Sequence, residues 1–443
     1  IEIFSLTTHL RYIFLEKNYQ IMFFVVSLNL NFNSDLFMDE TVNLTIHQFG
    51  PISDADVVFN KYTVLIGKQG SGKSTIAKLY SMFTWMEKGL ARRITSIKYM
   101  TQYSRFQKQY CSYHRIESYF KKETIICFYG LHYNFIYENE KFRVEEKGLP
   151  DSYKVAKVMY VPAERNFLST VDDTNNLKSL PESLDTLLGE FDKAKNSFKS
   201  GYKLPFNDSD FEYDALNKIP WIKGSDYKIR LSAASSGYQS VLPLSMVTKF
   251  LSDLVLENAN KEELTNKEKK QIEKEVNKVM DDKSLTEEVK FATLRSISSR
   301  FKYSRFVNIV EEMEQNLYPE SQMAVLFDLL NYANKIDLNR LVLTTHSPYI
   351  INYLTLAAKA YLLNEKILEN DDLKNKINEI VPLSSIVNPV QLHIYELKDG
   401  NVMSLNSYEG LPSDENFLNL QLGETNELFD QLLEIEEEFD NKN

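Results

Sequence analysis

A glycine-rich segment between an apolar run and an amphipathic run constrains the fold of this chain most strongly. Residues 62–66 are apolar and β-branched, which predicts a buried strand. From Ile76 to Leu90 apolar residues recur every three to four positions, which predicts a helix with one buried face. Between the two runs, residues 67–75 read Gly-Lys-Gln-Gly-Ser-Gly-Lys-Ser-Thr and fit G-x-x-x-x-G-K-[ST] at every fixed position. A strand, this loop and a helix in that order predict a phosphate-binding loop.

Each residue type in this loop has a physical reason to bind phosphate. Glycine has no Cβ, so backbone N–H groups can wrap around phosphate oxygens, and the helix N-terminus adds partial positive charge. We expect Lys73 to reach the β- and γ-phosphates and the Ser74 hydroxyl to ligate Mg²⁺. The sequence therefore predicts a site for a nucleoside triphosphate with Mg²⁺. Its predicted residues are Gly67, Lys68, Gln69, Gly70, Ser71, Gly72, Lys73, Ser74 and Thr75.

Two further predicted strands end in polar residues that suit the same chemistry. One strand-like run is followed by Glu311 and Glu312, and another is followed by His346. Ligands of open α/β sheets lie at the carboxyl ends of the strands. We expect Glu311 to hold Mg²⁺ through water, Glu312 to polarise the attacking water, and His346 to contact the γ-phosphate. The alternatives are an exposed acidic strand end and a structural histidine. The predicted catalytic residues are Glu312, His346 and Lys73.

Length, charge and cysteine content narrow the class of protein. The 443 residues allow two or three domains or one elaborated domain. A formal net charge of -11 argues against wholesale coating of nucleic acid but leaves room for a local basic face. The two cysteines, Cys111 and Cys127, form no disulfide framework, and a reducing cytoplasm is the simplest setting. The apolar segment at 21–30 is too short to span a bilayer, so we expect no membrane partner.

A basic and aromatic stretch at residues 88–122 has two interpretations. It holds nine Lys and Arg residues against one acid, Glu117, with tyrosines and phenylalanines between them. Such a composition can form a stacking surface for nucleic acid. It can also form a helical lobe whose aromatic rings pack inward while the basic side chains stay solvated. We favour the second interpretation, because aromatic residues at a spacing of three to four are usually core residues.

The order of the predicted elements indicates how the chain is divided. Alternating residues between 41 and 59 predict two strands ahead of the phosphate-loop strand, which indicates an antiparallel β layer. The predicted segments are an N-terminal extension of unknown status (1–37), the first part of the nucleotide-binding domain (38–87), an inserted basic-aromatic helical and β lobe (88–230), the second part of the domain (231–408) with a charged helical insertion (259–300), and an acidic helix or tail (409–443).

Four motifs in this order resemble those of the ABC-type ATPases. Residues 67–74 resemble the Walker A motif, and residues 234–239 resemble the ABC signature. Residues 307–319 resemble the Walker B motif and D-loop, and residues 344–348 resemble the switch-histidine loop. The most similar branch comprises the structural-maintenance-of-chromosomes (SMC) heads, the RecF-like heads and the overcoming-lysogenization-defect ATPases of bacterial defence and toxin modules. The resemblance spans about residues 40 to 408.

This resemblance carries expectations about fold, assembly and further site residues. It implies an α/β ABC-ATPase head with an antiparallel β layer, and two protomers that sandwich two ATP molecules. Ser235 and Gly237 would then bind the nucleotide held by the phosphate-loop of the other protomer. Taken alone, the Ser-Ser-Gly sequence there is only a helix cap. Residues 161–165, Val-Pro-Ala-Glu-Arg, match another short motif of that branch, for which the sequence suggests no mechanism.

Three functions follow as hypotheses. The leading one is a Mg²⁺-dependent ATPase whose ATP-bound homodimer, or larger homo-oligomer, acts as a switch in a bacterial defence or toxin-type module with a separate effector protein. The second is a DNA-associated ATPase of repair, motivated by the basic stretch at 88–122. The third is a nucleotide-dependent scaffold with little turnover. Hydrolysis, DNA binding and the effect of losing hydrolysis distinguish the three.

Overall fold

The computed structural model describes most of the chain from residue 41 onward. The expected extension at 1–37 and much of the charged insertion at 259–300 lie outside the described residues. The described residues are 41–147, 154–171, 179–257, 266–282, 284–286, 289–290, 293–294, 297, 301–367 and 370–440.

Strands and helices alternate through the second half of the chain, whereas strands dominate the first part. In chain order the strands are β1 (Val42–Phe49), β2 (Ile52–Phe59), β3 (Tyr62–Gly67), β4 (Phe120–Tyr129), β5 (Tyr133–Glu138), β6 (Lys141–Glu146), β7 (Ala156–Val161), β8 (Tyr202–Lys203), β9 (Asp210–Asp214), β10 (Ile219–Lys223), β11 (Lys228–Arg230), β12 (Arg305–Glu311), β13 (Arg340–Thr345), β14 (Leu392–Lys398), β15 (Asn401–Ser404), β16 (Ser407–Tyr408) and β17 (Leu411–Pro412). The helices are α1 (Lys73–Ala91), α2 (Ile97–Thr101), α3 (Phe167–Thr170), α4 (Glu182–Ser197), α5 (Ser236–Leu256), α6 (Asn266–Asp281), α7 (Pro319–Asn334), α8 (Pro348–Lys366), α9 (Asp371–Ile380) and α10 (Phe417–Asp440).

One mixed sheet of 11 strands organises the molecule, in the order β6-β5-β4-β1-β2-β15-β14-β3-β13-β12-β7. Strands β14, β3, β13, β12 and β7 are parallel neighbours. Every residue of β3, β12 and β13 is buried, as expected for parallel strands covered on both faces. Helix α1 contributes to the core on one face, and α5, α7 and α8 contribute to the core on the other. The α/β class predicted from the sequence is confirmed.

The predicted antiparallel β layer is also confirmed, and it is continuous with the parallel strands. Strand β1 pairs antiparallel with β2 on one side and with β4 on the other. Burial alternates along β1, because one face of this part of the sheet covers the core and the other meets solvent. Strands β4 to β7, which lie within the segment expected to form an inserted lobe, are all strands of the large sheet.

The basic and aromatic stretch contributes to the core as well as to the surface. Phe106 and Tyr110 of a π-helical turn are buried, and Phe106 stacks on Phe142 with ring centroids 4.0 Å apart. Arg92 is also buried, where its guanidinium donates to Glu268 at 2.8 Å. Phe106, Tyr110 and Arg92 therefore all pack inward. Arg92 in particular does not present its charge to solvent.

The last part of the segment expected to form an inserted lobe, residues 202–230, contains a small second sheet. Strands β8 to β11 pair antiparallel in the order β11-β10-β9-β8. This sheet meets α5, because the Tyr238 hydroxyl lies 2.9 Å from the Ser209 hydroxyl and 3.2 Å from that of Tyr227. Of the helices described here, none combines the length and the apolar composition that crossing a membrane requires.

Candidate functional site

Three neighbouring parallel strands end at the same edge of the large sheet. The register pairs Ile66 of β3 with Thr345 of β13, and Thr344 with Glu311 of β12. The residues that follow, in the loops after β3, β12 and β13, therefore face one crevice at the carboxyl ends of the strands. The structure thus brings together the phosphate-loop, the two predicted acids and the predicted histidine.

Two glycines of the phosphate-loop are required by the backbone itself. Gly67 has φ +146°, and a Cβ on it would lie 2.4 Å from the Leu397 carbonyl oxygen. Gly72 precedes the first turn of α1 with φ +107°, and a Cβ there would lie 2.7 Å from Ile52 Cγ1. Any other residue would be strained at both positions. The fixed glycines of the sequence pattern therefore have a steric cause in this fold.

The Lys73 ammonium lies inside the loop. Its Nζ donates to the carbonyl oxygens of Gly67 at 2.8 Å and Lys68 at 2.9 Å, and the side chain is buried. Burial lowers the pKa of Lys73 to about 8, although Glu312 and two further glutamates nearby act in the opposite direction. The loop therefore holds a cation that partly loses its charge just above neutral pH.

The remaining loop residues divide into an exposed tip and a half-buried base. Residues 68–70 are exposed, and the Lys68 ammonium lies 5.0 Å from the ring centroid of Phe417, the first residue of α10. Ser74 is half-buried in the first turn of α1. The Ser71 hydroxyl oxygen is buried, and no hydrogen-bond partner for it occurs among the described residues. Buried polar atoms are usually satisfied, so this hydroxyl suits a bound phosphate oxygen.

Glu311 has the surroundings expected of a metal-binding acid. It is the last residue of β12 and is buried; Oε2 accepts from the Ala163 N–H at 3.3 Å, whereas Oε1 is buried without a hydrogen-bond partner in the described part of the chain. This carboxylate oxygen and the Ser74 hydroxyl are hard oxygen ligands that fit Mg²⁺. The described residues contain no cluster of three or more His, Cys, Asp or Glu side chains suited to a metal. Mg²⁺ bound with nucleotide does not need one, because phosphates and water supply most of its ligands.

Glu312 and His346 face each other across the crevice. Their side chains approach to 3.5 Å between Oε1 and Nε2, and each is about one-third exposed. This contact lowers the pKa of Glu312, so the carboxylate is ionised at neutral pH. The Glu312 backbone has φ +43°, a left-handed conformation that costs a non-glycine residue about 1–3 kcal/mol. Its N–H donates to the carbonyl oxygen of Thr344 at 3.0 Å and to the Thr344 hydroxyl at 3.2 Å.

Glu314 is a site residue that the sequence analysis did not assign. Its carboxylate accepts from the backbone N–H of His346 at 2.7 Å, and burial raises its pKa. It therefore fixes the loop that carries the histidine. The only sequence signal was its place as the third acid in the run Glu-Glu-Met-Glu that begins at Glu311.

Arg165 is a second unassigned residue, and it belongs to the short motif that had no mechanism. Its side chain is fully buried. The guanidinium donates to the backbone carbonyl oxygens of Ser240, Glu311 and Glu312 at 3.1, 2.7 and 2.8 Å, with a longer bond to Pro162. Arg165 thus holds the backbone at the end of β12 and the backbone of helix α5.

The two predicted signature residues lie at the start of helix α5. Ser235 is the exposed N-cap residue of α5, and Gly237 follows in the first turn. A Cβ on Gly237 would lie 3.0 Å from the Asn316 carbonyl oxygen, so this turn packs on the loop that follows β12. No hydrogen bond between described residues joins Ser235 or Gly237 to the phosphate-loop of the same chain. The chain thus brings Lys73 and the strand-end residues together, whereas the described hydrogen bonds do not connect the signature residues to its own phosphate-loop.

Comparisons with known proteins give structural neighbours at low sequence identity. No family model matches the chain, and no curated protein matches it. An SMC head domain from Thermotoga maritima is 9% identical, with 83% of this chain and 99% of that chain covered and a TM-score of 0.35. An SMC head bound to the C-winged helix domain of ScpA is 11% identical, with coverages of 83% and 97% and a TM-score of 0.36. A dimeric bacterial ABC transporter cassette is 10% identical, with coverages of 83% and 100% and a TM-score of 0.24. The strand order and register described above define the fold, and these likenesses add no argument about function.

Proposed function

We propose that this chain binds ATP with Mg²⁺ at residues 67–75 and hydrolyses it. The observation that carries this proposal is the meeting of Lys73, Glu311, Glu312 and His346 at one sheet edge beside a glycine loop with the phosphate-binding pattern. A buried ammonium, a buried carboxylate oxygen and an ionised carboxylate next to an imidazole are the groups that phosphoryl transfer to water needs.

Each side chain has a distinct role in this proposal. Bound Mg²⁺, held by Ser74 and Glu311, would neutralise negative charge on the β- and γ-phosphates. Lys73 exchanges its two carbonyl partners for phosphate oxygens. Glu312 orients the attacking water and accepts its proton, and His346 orients the Glu312 carboxylate from 3.5 Å away and contacts the γ-phosphate.

The test compares two substitutions, one that should preserve ATP binding and one that should abolish it. Glu312→Gln keeps the shape of the side chain but removes its basicity, so turnover should fall by about 10²–10⁴-fold while ATP binding persists. Lys73→Ala should abolish ATP binding. Absence of Mg²⁺-dependent hydrolysis in the wild-type protein, or unchanged turnover in Glu312→Gln, would contradict the proposal.

We further propose that ATP closes two copies of the chain into an ABC-type dimer. The support is the motif order together with the position of Ser235, an exposed serine at the start of a long helix, where backbone N–H groups favour an anion. The mass of Glu312→Gln in solution should double on addition of Mg-ATP. Ser235→Arg should prevent the doubling and leave ATP binding to the phosphate-loop intact. A mass that ignores ATP in Glu312→Gln would refute the switch.

The biological setting that we propose is a bacterial defence or toxin-type module with a separate effector protein. It rests on the resemblance of the four motifs to that branch of ATPases. Cells that express the chain with its genomic neighbours should resist phage infection, and Lys73→Ala should abolish the resistance. If Glu312→Gln protects as well as the wild type, the chain is a nucleotide-dependent scaffold instead. Unchanged infection in all strains would remove the defence role and leave the ATPase proposal standing.

One structural feature favours nucleic acid as a second candidate partner. The Arg105 guanidinium lies 3.9 Å from the ring centroid of Tyr99 and 5.1 Å from that of Tyr103, and both tyrosines are exposed. Such a platform can stack bases, and the exposed Lys108 follows Arg105 three positions later in the chain. Arg105→Ala with Lys108→Ala should weaken single-strand DNA binding and lower the slope of its salt dependence by about 0.7 for each phosphate that is no longer neutralised. The wild-type protein failing to bind DNA at low salt would end this alternative.

A further inference from the structure

The buried arginine of the unexplained motif connects two parts of the site that are distant in sequence. Arg165 lies in the short 3-10 helix Ala163–Asn166 after β7, and that turn packs against α5. Its Nη1 and Nη2 donate to the carbonyl oxygens of Glu311 and Glu312, and its Nε donates to that of Ser240 in α5. All of its hydrogen bonds among the described residues go to backbone oxygens, so it holds main chain rather than forming an ion pair.

On one side the arginine holds a peptide in a conformation that needs support. Glu312 is in the left-handed region at φ +43°. Its N–H is held by Thr344 and its carbonyl oxygen is held by Arg165 Nη2 at 2.8 Å. A strained residue keeps its conformation only when several neighbours fix it. Loss of the guanidinium would therefore release the carboxylate from its place beside His346.

On the other side the arginine holds the helix that begins with the signature residues. Ser240 lies in the second turn of α5, shortly after Ser235 and Gly237. Pro243 has no N–H, so the carbonyl oxygen of Gln239, one residue before Ser240, receives no regular helical hydrogen bond, and the helix itself holds this turn less tightly. A movement of this end of α5 therefore shifts the Ser240 carbonyl oxygen. The rigid guanidinium of Arg165 transmits that shift to the backbone of Glu311 and Glu312.

We propose that Arg165 is a positioning residue that couples the signature surface of a protomer to the glutamates of its own ATP site. This inference rests on the proposed ATPase dimer. In that dimer the signature of one protomer contacts the nucleotide of the other. Arg165 then makes the geometry of Glu312 in each site depend on whether the other site is filled. Hydrolysis becomes cooperative in ATP for this reason.

The substitution Arg165→Lys tests the coupling without removing the charge. A lysine ammonium is a point donor and cannot span three carbonyl oxygens as the planar guanidinium does. ATP affinity should stay within about twofold of the wild type, because the hydrogen bonds of Arg165 to described residues do not involve the phosphate-loop, whereas kcat should fall by about 10–100-fold. The Hill coefficient for ATP should exceed 1 in the wild type and fall to about 1 in Arg165→Lys.

Arg340→Lys is the matched control. Arg340 is also a buried arginine that donates to a backbone carbonyl oxygen, that of Phe59 at 2.8 Å, but it lies at the opposite end of β13 from the site. Arg340→Lys should lower the midpoint temperature of thermal unfolding and leave kcat and the Hill coefficient for ATP unchanged. A purely structural role of Arg165 would make the two variants behave alike, which would overturn the proposal.

Two further outcomes separate a failure of the proposed ATPase dimer from a failure of the coupling. Wild-type protein without turnover or ATP-driven dimerisation would refute the ATPase dimer itself, whereas a cooperative wild type with an equally cooperative, fully active Arg165→Lys would refute the coupling alone. If Arg165→Lys does not fold, hydrogen exchange on Glu312→Gln decides the question. Backbone segments 236–244 and 311–317 should both gain protection on dimerisation, and protection of the first segment alone would contradict the coupling.

Discussion

The pH dependence of ATP binding offers a quantitative test of the buried lysine. Lys73 is enclosed by the loop, and burial lowers its pKa to about 8. Below that pH the side chain carries the positive charge that attracts phosphate, and as the pH rises through 8 the charge is lost. Affinity for ATP should therefore fall on the alkaline side. A bound phosphate stabilises the charged form, so binding should raise the pKa of Lys73 and keep the side chain charged in the complex.

The size of the change in Kd follows from the fraction of Lys73 that is charged in the free protein, compared with a fully charged Lys73 in the ATP complex. About nine-tenths of the free protein has a charged Lys73 at pH 7 and about one-tenth at pH 9, so Kd should rise about tenfold, or about 1.4 kcal/mol. Phosphate groups with a pKa of about 6 stay ionised over this range. Three carboxylates, those of Glu311, Glu312 and Glu314, face the ammonium, and Glu314, whose pKa is raised, is the one that could also titrate.

The assay is a titration of ATP by calorimetry between pH 7 and 9 with Mg²⁺ withheld, so that no turnover occurs. Lys73→Arg is the control, because a guanidinium keeps its charge throughout this range. Any pH dependence that remains in Lys73→Arg reports the other groups and is subtracted. A wild-type Kd that changes less than twofold, with Lys73→Arg equally flat, would refute the reasoning about the enclosed ammonium.

Two further predictions concern stability. Gly72→Ala should lower the free energy of unfolding by about 1–3 kcal/mol and abolish ATP binding, because φ is +107° and the new Cβ would lie 2.7 Å from Ile52. The control Gly189→Ala, in helix α4 with open space around it, should be neutral or stabilising in the same urea titration; a harmless Gly72→Ala would contradict the steric argument. Burial raises the pKa of Asp328 to about 7, so the folded state loses stability as the pH rises from about 4 to 7. Asp328→Asn should remove this loss and be stabilising by about 2 kcal/mol more at pH 8 than at pH 5, and an equal effect at both pH values would show that Asp328 does not titrate in this range.

The half of the site that we propose to bind nucleotide could be predicted from local sequence. Apolar runs predicted β3, β12 and β13, and the glycine pattern predicted the turn between β3 and α1, because both signals act between residues close in the chain. The polar strand ends then predicted which residues meet, since parallel neighbours end at one edge of a sheet. The order of the strands, with β4 to β6 added to the β1 edge, was not predictable, because pairing between distant strands leaves no local signal.

Buried cations mark the limit of sequence reasoning in this chain. Arg92 lay in a basic stretch and Arg165 in an unexplained motif, and sequence analysis treats an arginine as a surface residue by default. The structure buries both, because acceptors supplied from elsewhere in the chain satisfy their donors. The partners are 176 residues away for Arg92, and 75 and 146 residues away for Arg165. The sequence alone determined the loop at which we propose that phosphate binds, since the glycine pattern is local. Tertiary structure alone decided what holds Glu312 in place, since those carbonyl oxygens converge only after folding.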